Sequence, residues 1–230
     1  MSANASWSER NDAFLGAALD WLRLRLNRAA GTSGAGVATD VPAVDVVAAP
    51  APKWGFGRRP AATPMSSTPA PRLPAPDVDA ALDEAARRMD EAWASEPPPA
   101  LRLLCTRLGL STFERDVLLL CAGLEFDTRT AALCARAQDD PARPYPTFAL
   151  ALSLFDEPAW DALAPDGPLR HWRLIEINQP GAVPLTASAL RADERIVNFI
   201  KGLNHLDDRL APLLVPMEAP DPDALPPSQQ

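Results

Sequence analysis

The stretch RLGLSTFERDVLLLCAGLEFD, Arg107 to Asp127, decides how the rest of the chain reads. Ser111 stands three residues before Glu114, the spacing of a capping box, in which hydroxyl and carboxylate each accept from a backbone N–H at a helix start. Val117 to Leu124 then runs for eight residues without a charge. A helix that is apolar almost all round lies inside a fold. The segment therefore predicts a central helix about which the neighbouring elements pack.

Upstream, Asp77 to Ala94 reads as a helix that is acidic on one side and places Val78, Leu82, Ala85, Met89 and Trp93 on the other. Pro97 to Pro99 interrupt it. Ala100 to Leu108 follows as a helix with Leu101, Leu104, Cys105 and Leu108 on one face, ended by Gly109. Downstream, Asp127 is the expected N-cap of a helix from Thr128 to Ala137 that buries Leu133 or Ala132 together with Ala131 and Cys134. Thr147 is expected to cap a short helix, Phe148 to Phe155, and a further turn carries Trp160 and Leu163.

After Gly167 the period changes. Leu169 to Ile177, LRHWRLIEI, alternates in the manner of a strand. The turn NQPGAVP follows, and Leu185 to Leu190 is the expected returning strand. Asp193 and Glu194 open a last helix that buries Ile196, Val197, Phe199 and Ile200 and stops at Gly202. Leu206, Leu210, Leu213 and Leu214 are expected to close the core. A trio of helices followed by one hairpin is the element order of a winged helix. The expected fold class is mainly α with a small β-hairpin: a winged-helix-like domain over 77–215 with its core at 98–215.

Two flanking regions differ from this domain. Ser8 to Ala29 reads as an amphipathic helix, with Leu15, Leu19, Leu22 and Leu26 in a stripe and Phe14 and Trp21 one heptad apart beside it. Residues 1–29 are thus expected to form an isolated N-terminal helix. Its stripe suits docking on its own domain or a partner protein, and the partner-binding reading singles out Phe14, Leu15, Leu19, Trp21, Leu22 and Leu26. Residues 30–76 hold nine of the 26 prolines and no apolar period, a composition expected to stay disordered. Within them GTSGAG falls short of a phosphate loop, because Val37 stands where that motif needs lysine. WGFGRR, Trp54 to Arg59, reads as solvated linker, with a short docking motif as the alternative. Residues 216–230 are again a Pro/Asp-rich linker.

Composition narrows the function. The net charge is −8, with residues 77–97 strongly acidic, so nucleic acid is an unpromising partner. No apolar stretch is long enough for a membrane span, and the N-terminus lacks the basic-then-apolar layout of a signal peptide. A cytoplasmic location is expected. Cys105, Cys121 and Cys134 sit among apolar helical neighbours and read as buried thiols. His171 and His205 lack metal-ligand spacing. The pairs Asp139–Asp140, Asp193–Glu194 and Asp207–Asp208 lie in a loop or at helix starts, where carboxylates favour the helix dipole. No catalytic site, cofactor or metal is expected. In a DNA-binding reading, the helix before the wing, Phe148 to Glu157, carries no Arg, Lys, Asn or Gln to reach base edges. Arg170 and Arg173 supply two phosphate contacts at most.

The blocks LGLSTFERDVLLLCAGLEFD, RPYPTFALALSLF, PLRHWRLIEI and LRADERIVNFIKGLNHLDDRL resemble the variant winged-helix domain that precedes the AAA+ ATPase module of bacterial proteins encoded with extracellular contractile injection systems. The similarity is densest over 98–215, and NDAFLGAALDWLRLRL resembles the family's leading helix. The resemblance implies a non-catalytic module that recruits a protein substrate, an adaptor or a component of the injection apparatus. It also implies an AAA+ module in cis or in trans, with ATP hydrolysis residing there and 216–230 belonging to the linker towards it. The alternatives are a winged-helix DNA-binding regulator and a structural spacer for the ATPase ring.

Overall fold

The structure is a computed structural model that describes residues 6–35 and 78–204. Nearly all the expected elements form, around the expected centre. Helix α4, Thr112–Phe126, opens on the full capping box: the Glu114 N–H donates to the Ser111 hydroxyl at 3.2 Å and the Ser111 N–H to the Glu114 carboxylate at 2.8 Å. Ten consecutive or near-consecutive residues from Phe113 to Gly123 are buried, so packing, rather than any one amphipathic face, holds this helix in place. Around it lie α1 (Trp7–Ala35), α2 (Val78–Trp93), α3 (Ala100–Leu108), α5 (Arg129–Ala137), α6 (Phe148–Leu154), the short α7 (Pro168–His171) and α8 (Glu194–Lys201).

Local signals end these helices where expected. Gly109 and Gly202 take left-handed conformations, φ 71° and 90°, and stop α3 and α8. Thr147 accepts from the Leu150 N–H and caps α6. At α5 the cap is displaced by one residue. Thr128 holds the cap position without a side-chain bond, while the Asp127 carboxylate accepts from the Arg129 N–H at 3.1 Å. The buried residues of α5 are Thr130, Leu133 and Cys134, so Thr130 replaces the expected Ala131.

The hairpin sits further along the chain than its alternation suggested. Pro168 stands at the first position of α7, where its fixed φ favours a helical start, and Arg173, at φ 51°, turns the chain out of it. The strand expected from Leu169 is therefore only β1, Ile175–Asn178. Its antiparallel partner β2 is Ala189–Ala192, and Leu185–Ala187 is a 3-10 turn rather than strand. Register pairs Ile175 with Ala192 and Ile177 with Leu190. Leu190 and Ala192 face inward and Arg191 outward, the period of two that a half-buried strand requires. On its other side β2 is joined by the segment entering α6: the Leu190 N–H donates to the Pro146 carbonyl at 2.9 Å, and Thr147 bridges Ala189. This ties α6 to the base of the hairpin.

The largest departure concerns α1. It continues to Ala35, through the glycines at the start of the expected linker, and it is not isolated. It packs along α2 and α5 and touches α4, α6 and α8. Leu206 to Leu214, the motif Trp54 to Arg59, the remaining linker and 216–230 lie outside the described residues.

Candidate recognition surface

Each residue expected to bind a partner through α1 turns inward. Phe14, Leu15, Trp21, Leu22 and Leu26 are buried in the core, and Leu19 is half-buried. Leu22 and Leu19 close on Gly123 of α4, where even a Cβ would lie 2.8 Å from the Leu22 methyl. Phe14 packs on Trp93 of α2 with centroids 5.5 Å apart, and Trp21 stacks on Phe155 at 5.8 Å. Phe155 in turn meets Phe113 edge-on. The stripe is thus core: of the two readings of α1, docking on its own domain is the arrangement seen, and the partner-binding reading is corrected in that Phe14, Leu15, Trp21, Leu22 and Leu26 are buried rather than presented. Burying large apolar side chains on the domain removes their surface from water as effectively as a partner would.

Polar clamps give α1 a single seat. Asn11, 1% exposed, accepts from the Ala100 N–H at 2.9 Å and donates to the Ile200 carbonyl at 3.0 Å. It thereby serves a free N–H at the start of α3 and a carbonyl near the end of α8, groups that a helix leaves unpaired. The Trp7 indole donates to the Pro98 carbonyl at 3.0 Å. Further along the helix Arg25 lies over the Trp21 ring, donates to the Leu154 carbonyl at 2.8 Å and pairs with Asp156. Apart from Trp21, none of these partners lies near α1 in sequence, so the sequence pattern could not reveal them.

Buried titratable groups are structural in setting. Desolvation pushes the Cys105 and Cys134 thiols up to about 12 and raises Cys121 further still, the reverse of what a nucleophilic thiolate needs. Asp116 of α4, 5% exposed, has its carboxyl pushed up to about 6, chiefly by burial and against the pull of Arg115, whose guanidinium meets it at 2.7 Å. Among the described residues no group of three or more metal-ligating side chains comes together. No described helix is long and apolar enough to cross a membrane.

The region of α6 and the hairpin is partly exposed. In α6 only Ala149 and Ser153 are exposed, and Leu152 is half-buried. The wing turn, Gln179 to Pro184, bears no charge. Arg170 is held by the Leu163 carbonyl at 3.0 Å, and Arg191 pairs with Glu125 at 3.6 Å. Beside them stand two large exposed indoles. Trp160, 69% exposed, leans edge-on against Phe148 at the start of α6, and Trp172, 48% exposed, caps α7. The 3-10 turn Trp160–Leu163 and α7 pack on each other. Trp160 was visible in the sequence, but only as an element of a turn. Trp172 lies in the stretch whose alternation predicts a strand, and it stands instead, exposed, at the end of the helical turn α7.

No curated protein and no solved structure matches the chain. A family does match, over residues 11–214, so the match takes in α1 together with the hairpin and α8. With helices α4, α5 and α6 followed by an antiparallel hairpin, the chain belongs to the variant winged-helix domain family.

Proposed function

We propose that this winged-helix domain is a non-catalytic protein-recognition module of an AAA+ ATPase-type protein, which recruits a protein substrate, an adaptor or a component of a contractile injection apparatus. The observation that carries the reading is the makeup of α6 and the wing. In DNA-binding winged helices and their helix-turn-helix relatives, the helix in this position enters the major groove and reads bases with Arg, Lys, Asn or Gln. Here its exposed residues are alanine and serine, and the wing turn has no cation for a phosphate. Trp160, against Phe148 of α6, and Trp172, at the end of α7, are exposed instead, a side chain enriched where proteins meet. A spacer has no use for such an apolar surface. The AAA+ association rests on the resemblance of the four sequence blocks given above.

The test pairs the domain with purified components of an injection apparatus and, separately, with duplex DNA at physiological salt. Binding to a protein component that is lost in the Trp160→Ala, Trp172→Ala double variant, with the melting temperature nearly kept, is the expected result. Retention of DNA alone would replace this reading with the DNA-binding regulator. Protein binding that ignores both substitutions would move the contact elsewhere.

A further inference from the structure

A second surface differs in kind from the first. Between α1, α2 and α5 lies an open groove of about 600 Å³ lined by Arg23, Arg88, Arg129 and Arg136, with Leu24, Ala132 and Leu133 also contributing to its wall. Asp20 is the one acidic side chain in the lining. In a chain of net charge −8, this gathers guanidinium groups from three helices that no stretch of sequence places together.

The four arginines are not equally occupied. Arg23 pairs with Asp20 at 2.7 Å and with Asp127 at 3.2 Å, and Arg129 pairs with Asp127 at 3.0 Å. The Asp127 carboxyl is held below its ordinary value, first by its hydrogen bond from Arg129. Among the described residues Arg88 has only Glu84, at 4.0 Å, a carboxylate that Arg87 also engages, and both partners are about half exposed. Arg136 has no carboxylate within pairing distance among the described residues. Two exposed guanidinium groups therefore stand beside an apolar wall with donor capacity left over.

We propose that this groove binds a short acidic segment of a partner protein, one in which carboxylates flank an apolar side chain. The apolar side chain would lie against Leu24, Ala132 and Leu133, while Arg88 and Arg136 take the carboxylates in two-pronged charge-assisted pairs. Nucleic acid fits less well. A phosphate backbone asks for a continuous cationic track, whereas Arg23 and Arg129 are already paired with Asp20 and Asp127, and the groove wall beside Arg88 and Arg136 is apolar. This inference rests on the reading of the domain as a protein-binding module, and it assigns a surface to which neither α6 nor the hairpin contributes.

Fluorescence anisotropy with a labelled Glu-Glu-Leu-Glu-Glu peptide tests it on the full chain. Saturable binding is expected that weakens with added salt, as exposed charge pairs do. The Arg88→Glu, Arg136→Glu double variant should bind roughly tenfold more weakly, since two charge-assisted contacts become repulsive. The Arg88→Gln, Arg136→Gln pair, which keeps polar side chains at the same exposed positions, should show a smaller loss in the same direction and guards against misfolding. The Trp160→Ala, Trp172→Ala variant should bind the peptide as the parent does, which separates this groove from the indole surface. The proposal is overturned if the peptide shows no saturable binding, if charge reversal in a folded variant leaves its affinity unchanged, or if a duplex oligonucleotide binds more tightly and loses that binding on the same reversal.

Discussion

Helices α4 and α1 hold the domain together in different ways. Helix α4 is buried around most of its circumference, and its buried side chains are chiefly apolar. Helix α1 buries one stripe, exposes the opposite side, and adds polar clamps through Asn11 and Arg25. The residues between α1 and α2 number more than forty in the chain, yet α1 and α2 make the most extensive helix pairing of the domain. Distance along the sequence therefore says little about membership of a core. A helix whose stripe matches the domain beside it is drawn in by the same apolar burial that forms the centre, and the clamps then choose one seat among many.

The sharpest way to break the comparison is to charge the stripe of α1. Leu22→Asp should destabilise the domain by about 4 kcal/mol or more, because an unpaired carboxylate would be buried against α4. A denaturant titration showing less than about 1 kcal/mol would return α1 to the status of a detachable helix. Within α4, Leu120→Ala should cost about 2–5 kcal/mol, the range for buried leucines, and Leu26→Ala in α1 should fall in the same range if the two helices are equally part of the core. Asn11→Ala isolates the clamps. It leaves the Ala100 N–H and the Ile200 carbonyl unserved and should cost about 2–3 kcal/mol, with the chief effect on α1 and α8 by hydrogen exchange.

The next effect belongs to α4 and depends on pH. The Asp116 carboxyl keeps its proton to about 6 in the folded protein, against an ordinary 3.8. Its contribution to stability is thus full below pH 4 and is lost as pH rises through 6, amounting to about 2 kcal/mol over that window. Asp116→Asn should flatten the fall between pH 4 and 6 in a series of urea titrations, and an unchanged slope would mean that Arg115 compensates burial in full. Smallest of all, Trp160→Ala should alter stability by about 1 kcal/mol or less, as for a largely exposed aromatic making one edge contact. That small cost is what lets Trp160 report on binding rather than on folding.

Much of this was legible because some signals are short-range. The capping box at Ser111 and Glu114, the Thr147 cap of α6 and the glycine stops at 109 and 202 each close hydrogen bonds within a few residues, so their chemistry is written where they act. The unbroken apolar run of α4 named the centre for the same reason. The hairpin was less legible. Leu169 to Ile177 alternates well enough for a strand, but Gly167-Pro168 starts a helical turn, and the pairing of β2 with both β1 and the entry to α6 decides the register. Register depends on partners across the sheet, which local alternation does not name.

The sequence by itself determined which segments are helical, where several of them start and stop, and which helix is central, since those follow from spacing and from bonds between near neighbours. Only the tertiary structure decided that the stripe of Phe14, Leu15, Trp21, Leu22 and Leu26 is core, that Trp172 faces outward, and that Arg23, Arg88, Arg129 and Arg136 share one groove. An apolar stripe announces that it will be buried but not against what, and charges far apart in the chain become one surface only when packing brings their helices together.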